Sequence, residues 1–508
     1  MAPQPTNFLG VAIASSTPVD PANSLEPARS TVGRLLQRIA PVKRSEALTV
    51  VLLAVNSFTL LACYYLLKVI REPLILLGGG ADLKSYASSG QAILLLGVVP
   101  AFSWLASKVT RIRLMTTMQI IFMSCLVGFY VLYEAKAPIG IAFYLWVGIF
   151  NVLVISNFWS FVNDLYTEEE GKRLFGVIGI GASIGAIAGA TLPKLLHKIF
   201  GVPGLMALAV GGLGVSIVFY HIVERREAAK KEEVAKQKAA KPQDEAKQDK
   251  KGGFALVMRD KYLRLLAGML LTATIINTVG ENVIGHLATK RAEVYAKDKV
   301  AKAGPAPAPD AAAAPAASPK ADSPDKQTSD PRIKAAQEEY LSDFFASYYG
   351  LVNLVSFLLQ TFIVARLLVT LGVRRALFIM PLIVLGGWFA LILFVNVSLV
   401  RVEKLTENSL DYSLHNTLRQ ALFLPTSREA KYKAKAAIDT FFFRMGDVIA
   451  GLGVVFLIVG VLHLGVRALA ATNVILALLW IFLAYRSGRM HDELVAEQRP
   501  EDKPAAAA

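Results

Sequence analysis

Twelve apolar stretches, each long enough to cross a bilayer, fill this chain, and several carry charges at depths where lipid penalises them. A hydrocarbon core takes about 20 apolar residues per helix. An ionisable group inside it costs on the order of a few kcal/mol unless it faces protein or a watery cavity. Lys68 and Arg71 stand three residues apart in the first stretch, and Arg444 and Asp447 stand three apart in the eleventh. A chain that keeps such groups in many spans is expected to handle a charged solute. At 54% hydrophobic residues it reads as an all-α membrane protein, neither soluble nor disordered.

The spans fall near 47–76, 86–107, 113–133, 138–163, 172–195, 204–224, 261–287, 341–367, 374–394, 397–424, 436–461 and 465–485. Alternate short loops hold most of the Lys and Arg, including Lys108, Arg111, Arg113, Lys172, Arg173, Arg374 and Arg375. Basic residues near span ends stay on the cytoplasmic side. Both termini are therefore expected inside, in a multi-pass protein of a bacterial inner (cytoplasmic) membrane. Residues 1–45 form a tail, with Val32, Leu35, Leu36 and Ile39 spaced for a short interfacial helix beside Arg34 and Arg38. Residues 46–224 make one six-helix bundle, and 261–485 make the second. Between them, 225–260 is a charged run that should repel itself into an extended tether. The Ala- and Pro-rich insert 292–336 is expected to be disordered, and 486–508 is a second tail. The formal charge of +15 sits largely in loops and tails, so nucleic acid is not an expected partner; the lipid bilayer is.

Within the spans the polar positions draw lines. In the tenth span Arg401, Lys404, Asn408, Asp411 and His415 recur every three or four residues, with Glu403, Glu407 and Arg419 widening the stripe. Such a stripe faces either a cavity or an ion-pairing partner helix. The seventh span carries Glu281 and Asn282 below Thr274, Asn277 and Thr278. Glu281 can hold Arg71 in place, carry a proton, or meet substrate hydroxyls. The fourth span offers Asn157 and Asn163, amides that bond a base or ribose, or that glue helices together. Lys68 and Arg71 share a face and suit a phosphate or carboxylate, Arg bidentately and Lys as a point charge; the alternative is snorkelling to an interface. Arg444 and Asp447 are spaced to pair locally. Gly181, Gly185 and Gly189 form a small-residue ridge for close helix packing, not a dinucleotide loop, because no strand precedes them.

No Walker motif, His-Glu-x-x-His or cysteine cluster is present, so no cofactor or metal is expected, and neither is an embedded enzyme. Transport would run by exchange or ion coupling. Two six-span halves joined by a cytoplasmic linker resemble the architecture of major-facilitator-type transporters, which bind substrate between the halves.

Three segments carry a closer resemblance: Tyr64–Leu74, Asn157-Phe158-Trp159-Ser160-Phe161-Val162-Asn163 through Gly189, and Lys435-Ala436-Ala437-Ile438-Asp439 with Arg444-Met445-Gly446. In their order and spacing they look like the ATP/ADP translocase family of nucleotide antiporters. The resemblance implies exchange of nucleotides (ATP for ADP) by alternating access. It places Lys68, Arg71 and Glu72 on the family's basic-x-x-basic-acidic motif and Glu281 at or beside its helix-seven carboxylate. Two positions depart from the pattern. Gly148-Ile149-Phe150-Asn151 stands where ATP-for-ADP exchangers resemble each other in having a carboxylate, and Asp447 stands where they have Lys. A proton-coupled carrier of another organic solute and a non-transporting scaffold derived from a carrier are the competing readings.

Overall fold

The computed structural model describes residues 44–106, 108–240, 253–303, 330–427 and 430–497, and the chain within them is helical almost throughout. Helices α1 (44–78) and α2 (81–106) would form one rod but for Gly79 and Gly80, where the backbone leaves the helix. Gly80 has φ 76°, a left-handed value that glycine adopts without the Cβ clash. Gly201 does the same (φ 60°) between α5 and α6, and Gly372 (φ 70°) closes α8. The remaining order is α3 (Arg111–Glu134), α4 (Gly140–Leu165), α5 (168–200), α6 (202–240), α7 (Lys261–Ala303), α8 (331–371), α9 (Ile379–Leu393), α10 (397–422), α11 (430–461) and α12 (Val466–Glu497). A short helix, Gly253–Arg259, precedes α7.

Among the described residues, nine helical stretches are long and apolar enough to cross a membrane, and one of them, Glu46–Ala106, is the bent pair α1 and α2. Helix α9 is apolar but shorter, and α10 is not among the nine, its sequence being dense in charged and other polar residues. The twelve helices expected from the sequence are therefore all present. An even number of crossings puts residues 44, 240 and 497 at one end of the bundle, the near end. The α1–α2 bend and the α7–α8 connection lie at the far end.

The glycine ridge explains how tightly the first half closes. A Cβ on Gly181, Gly185 or Gly189 would collide with the backbone of Ala54, Phe58 or Ala62 in turn. Both series step by four, so α5 lies backbone to backbone on α1, and the Ser57 hydroxyl donates to the Ile178 carbonyl at 2.9 Å. Elsewhere α3 and α4 interlock through Phe122, Phe129, Phe143, Trp146 and Phe150, edge-on and stacked. In the second half α7 and α9 both pack on α12.

Two expected irregular segments are partly helical. Helix α7 continues through residues 292–303, and α8 begins at Pro331. The two arms are joined by Lys299–Glu339 at 2.6 Å and by the Tyr295 and Tyr340 rings. Alanine, the best helix former, fills enough of 292–303 to carry the helix on. The charged run likewise starts as helix, since α6 extends through Ala240. The interfacial helix expected at 32–39 lies outside the described residues, as does the core of the Ala/Pro-rich insert.

Candidate functional site

Seven helices place polar side chains around one cavity of about 160 Å³ between the halves. From the first half come Lys68 and Arg71 of α1, Lys84, Ser85 and Ser88 of α2, and Tyr144 of α4. From the second come Asn277, Thr278 and Glu281 of α7, Tyr349 of α8, Asn408 and Tyr412 of α10, and Asp447 of α11. Spacings of one, three and four residues keep each set on one helix face.

An ionic chain runs across the far side of this cavity. Arg71 pairs with its neighbour Glu72 at 2.7 Å, and its guanidinium lies 4.3 Å from the centre of the Tyr144 ring. Glu72 is fully buried and also takes Lys84 at 2.7 Å and the Tyr349 hydroxyl at 3.0 Å. Lys84 then reaches Glu281 of the other half at 3.2 Å. Glu281 accepts from Asn408 at 3.2 Å and lies 4.0 Å from Lys404, which pairs with Glu407 at 3.0 Å. Buried ion pairs earn their place only when geometry and extra hydrogen bonds offset desolvation, and here each carboxylate in the chain has at least one cation.

Lys68 is different. Among the described residues no carboxylate lies within ion-pair distance of it. Its ammonium sits instead 4.2 Å from the Tyr349 ring centre, 5.3 Å from Tyr65 and 6.0 Å from Tyr64. A cage of ring faces holds a cation while leaving its charge available to a ligand. Nearby, the Arg71 Nε is buried and has no partner. A second cavity of about 300 Å³ adjoins on the near side and shares Tyr412. Leu61, Tyr65, Ser183, Asn353 and Gln360 are among its lining residues, none of which is charged.

The contacts that join the halves gather toward the far end. They include Glu72–Tyr349, Lys84–Glu281, Asn282 to Asp82 at 2.9 Å, Asn353 to the Ala186 carbonyl, and Ser89 to the Asp447 carbonyl.

Of the residues singled out from sequence, Lys68, Arg71, Glu281, Asn408 and Asp447 line the central cavity. Lys404 lies behind Glu281, wholly buried, and Arg444 sits beside Asp447 at 3.4 Å. Asn282 belongs to the clamp between the halves. Asn157, Asn163, Asp411 and Arg419 do not line the cavity. Asn157 follows Tyr144 by thirteen residues, about 140° round the helix, so it faces away from the cavity when Tyr144 faces in. Arg419 follows Asn408 by eleven residues, roughly 16 Å toward the near end, where it pairs with Asp439 at 3.7 Å. Glu281 does not hold Arg71; its cation is Lys84. The departure at Gly148 has a steric counterpart, since a side chain there would strike Gln91 of α2.

Lys84 was missed because span boundaries at 76 and 86 assign it to a loop. The signal that finds it is Gly78-Gly79-Gly80, which restarts the helix early and puts Lys84 inside α2. Tyr144, Tyr349 and Tyr412 carried no signal beyond being aromatic in apolar runs.

A two-halved helical bundle enclosing a charged cavity at its centre defines a membrane carrier rather than an enzyme. Residues 19–306 match the Major Facilitator Superfamily, and the chain belongs to that family: it is a multi-pass membrane transporter. No curated protein matches it by sequence. Among solved structures it is similar to the nucleoside transporter NupG, with TM-score 0.56 and 12% identity over 87% of this chain and 98% of that one. It is also similar to the POT family transporter PepTSo, with TM-score 0.54 and 11% identity over 89% and 99%. A POT family transporter in complex with 5-aminolevulinic acid aligns with TM-score 0.53 and 14% identity over 88% and 96%. At these identities the likeness is one of fold.

Proposed function

We propose that this transporter carries a small organic anion, held by Lys68 and Arg71, and moves it by alternating access of the two halves. The observation that carries the reading is the Lys68 ammonium, caged by tyrosines, facing the cavity and lacking a carboxylate. A buried charge without a counter-ion is costly, so the site is completed by an anion that arrives with the substrate. The adjoining uncharged cavity offers room for the rest of that molecule. With the basic loops on the cytoplasmic side, the far-end clamp seals the outer face, and the site opens inward.

Exchange of ATP for ADP is the finer form of this reading, supported by the sequence resemblance and by the tyrosines as stacking surfaces. The charge inventory favours a less charged solute. Lys68, Arg71 and Lys84 are met by Glu72 and Glu281, and Arg444 by Asp447, leaving one positive charge rather than several.

Uptake into proteoliposomes of radiolabelled lactate, AMP, ADP and ATP, with and without the same solute trapped inside, tests both forms. The expected result is uptake of at least one singly or doubly charged anion, stimulated by internal anion and lost in Lys68→Gln. Uptake of none of them, or uptake unaltered by Lys68→Gln, removes the proposed site; strongest exchange with ATP and ADP would instead favour the nucleotide form.

A further inference from the structure

Behind the ionic chain, away from the cavity, lies a carboxylate that transport of an anion does not use. Glu403 of α10 is 5% exposed, and its Oε1 is buried without a hydrogen-bond partner. Its carboxyl lies against bare backbone of α9, where a Cβ on Gly387 would strike it. One turn along α10 is Glu407, 1% exposed, with Oε2 also buried and unpartnered. The pair shares one nearby cation, Lys404, whose ammonium bonds Glu407 at 3.0 Å and the Asn277 carbonyl at 3.3 Å.

Among the described residues the surroundings offer nothing else of opposite charge. Helix α9 contributes no ionisable side chain between Ile379 and Leu393. From α7 the facing acid is Glu281, and from α8 Tyr348 approaches the Lys404 carbonyl with its hydroxyl. On α10 itself Arg401 is drawn away to the Ser347 hydroxyl and the Phe344 ring, while Asp411 and His415 lie two and three turns further on. Asn473 on α12 bonds the Ile276 carbonyl. Two carboxylates and one ammonium, sealed in protein at membrane depth, are one positive charge short. An isolated buried charge is so unfavourable that the group takes up a proton instead.

We propose that Glu403 binds an exchangeable proton, traded with the cavity through Glu407, Lys404 and Glu281, and that carriage by this chain is coupled to that proton. The step is simple to balance: a proton leaves water on one side of the membrane, converts the Glu403 carboxylate to a neutral carboxyl, and returns to water on the other side. Glu281 is the door, because it lines the cavity and lies within 4.0 Å of Lys404. Movement of the Lys84–Glu281 clamp between access states would open and shut that route, which ties proton traffic to the rocking of the halves. The coupling clause rests on the carrier reading above; the proton site does not.

Infrared spectroscopy of the full-length protein in lipid, perfused alternately with H2O and D2O, tests the site without any transport substrate. The expected spectrum shows the carbonyl stretch of a neutral carboxyl that shifts in D2O, is absent in Glu403→Gln, persists in Asp411→Asn, and exchanges more slowly in Lys404→Met. A band unaffected by Glu403→Gln, or one that D2O never shifts, overturns the site. Coupling is read from uptake of lactate, AMP and ADP with an imposed pH gradient. Stimulation by the gradient in the parent, lost in Glu403→Gln while exchange without a gradient remains, is expected. Equal stimulation in the variant, or none in the parent, overturns coupling. A Glu403-dependent band with no uptake of any probe would sink the carrier reading and leave the proton site standing.

Discussion

Replacing Lys84 by Met should unlock the far end of the bundle. Lys84 touches Glu72 in its own half and Glu281 in the other. The first contact is the same whichever way the halves tilt, so only the second acts on the equilibrium between closed and open far ends. A hydrogen bond to a charged group contributes about 1.5–3 kcal/mol. Glu281 keeps Asn408 and the more distant Lys404, which places the loss toward the lower part of that range, at about 2 kcal/mol. At 1.4 kcal/mol per factor of ten, that is a change of about 30-fold. A state held at about 99:1 would fall to roughly 3:1. Electron–electron distance measurements between spin labels at Lys136→Cys and Lys334→Cys, in a background where Cys63 and Cys125 are replaced, report the separation of the halves at that end. The expected result is a second, longer distance in Lys84→Met. Arg444→Met, whose ion pair lies within α11, should show little of it. An unchanged distribution in Lys84→Met, or equal shifts in both variants, would refute the assignment of Lys84 as a clamp.

Arg71→Ala and Glu281→Ala should each abolish uptake while the protein still inserts and elutes as the parent does in detergent gel filtration; normal uptake in both would contradict the site. Asn408→Ala is expected to impair uptake and Asn157→Ala to spare it, because only Asn408 reaches the cavity, and the reverse order would argue for α4 as the substrate-binding face. Gly185→Leu drives a side chain into the Phe58 backbone and should lower the thermal midpoint by the equivalent of about 1–3 kcal/mol or prevent folding. Gly176→Ala, with open space around it, should leave the midpoint in place.

The number of helices and their division into two halves were legible because hydrocarbon imposes a length and every span repeats it. The glycine ridge was legible for a related reason: a four-residue period of missing side chains has one structural use between helices. Azimuth was harder to read than spacing. Arg419 lies along the same helix stripe as Asn408, but sequence periodicity is blind to depth, and the cavity occupies only the middle of the stripe. Asn157 fails on both counts, lying about 20 Å along α4 from Tyr144 and on a face turned away. Lys84 was hidden by a boundary error of a few residues, which moved a buried cation into a loop. The division of charges could not have been read at all. Which acid holds Arg71 depends on how two halves, distant in sequence, come together, and the neighbour Glu72 took one of the three roles open to Glu281.

Helix α10 has a consequence for how the protein is made. Between Arg401 and Asp411 it carries Glu403, Lys404 and Glu407 as well, and a charged residue at the centre of a lone inserting helix costs about 2.5–3.5 kcal/mol against a few tenths recovered per Leu or Val. The segment cannot partition into lipid by itself as it leaves the ribosome. It can enter only beside its apolar neighbour α9 and the already inserted α7 and α8, whose Glu281, Asn277 and Tyr348 supply the polar partners that lipid withholds. Assembly of the second half therefore follows an order in which the least membrane-compatible helix arrives only after its berth is ready.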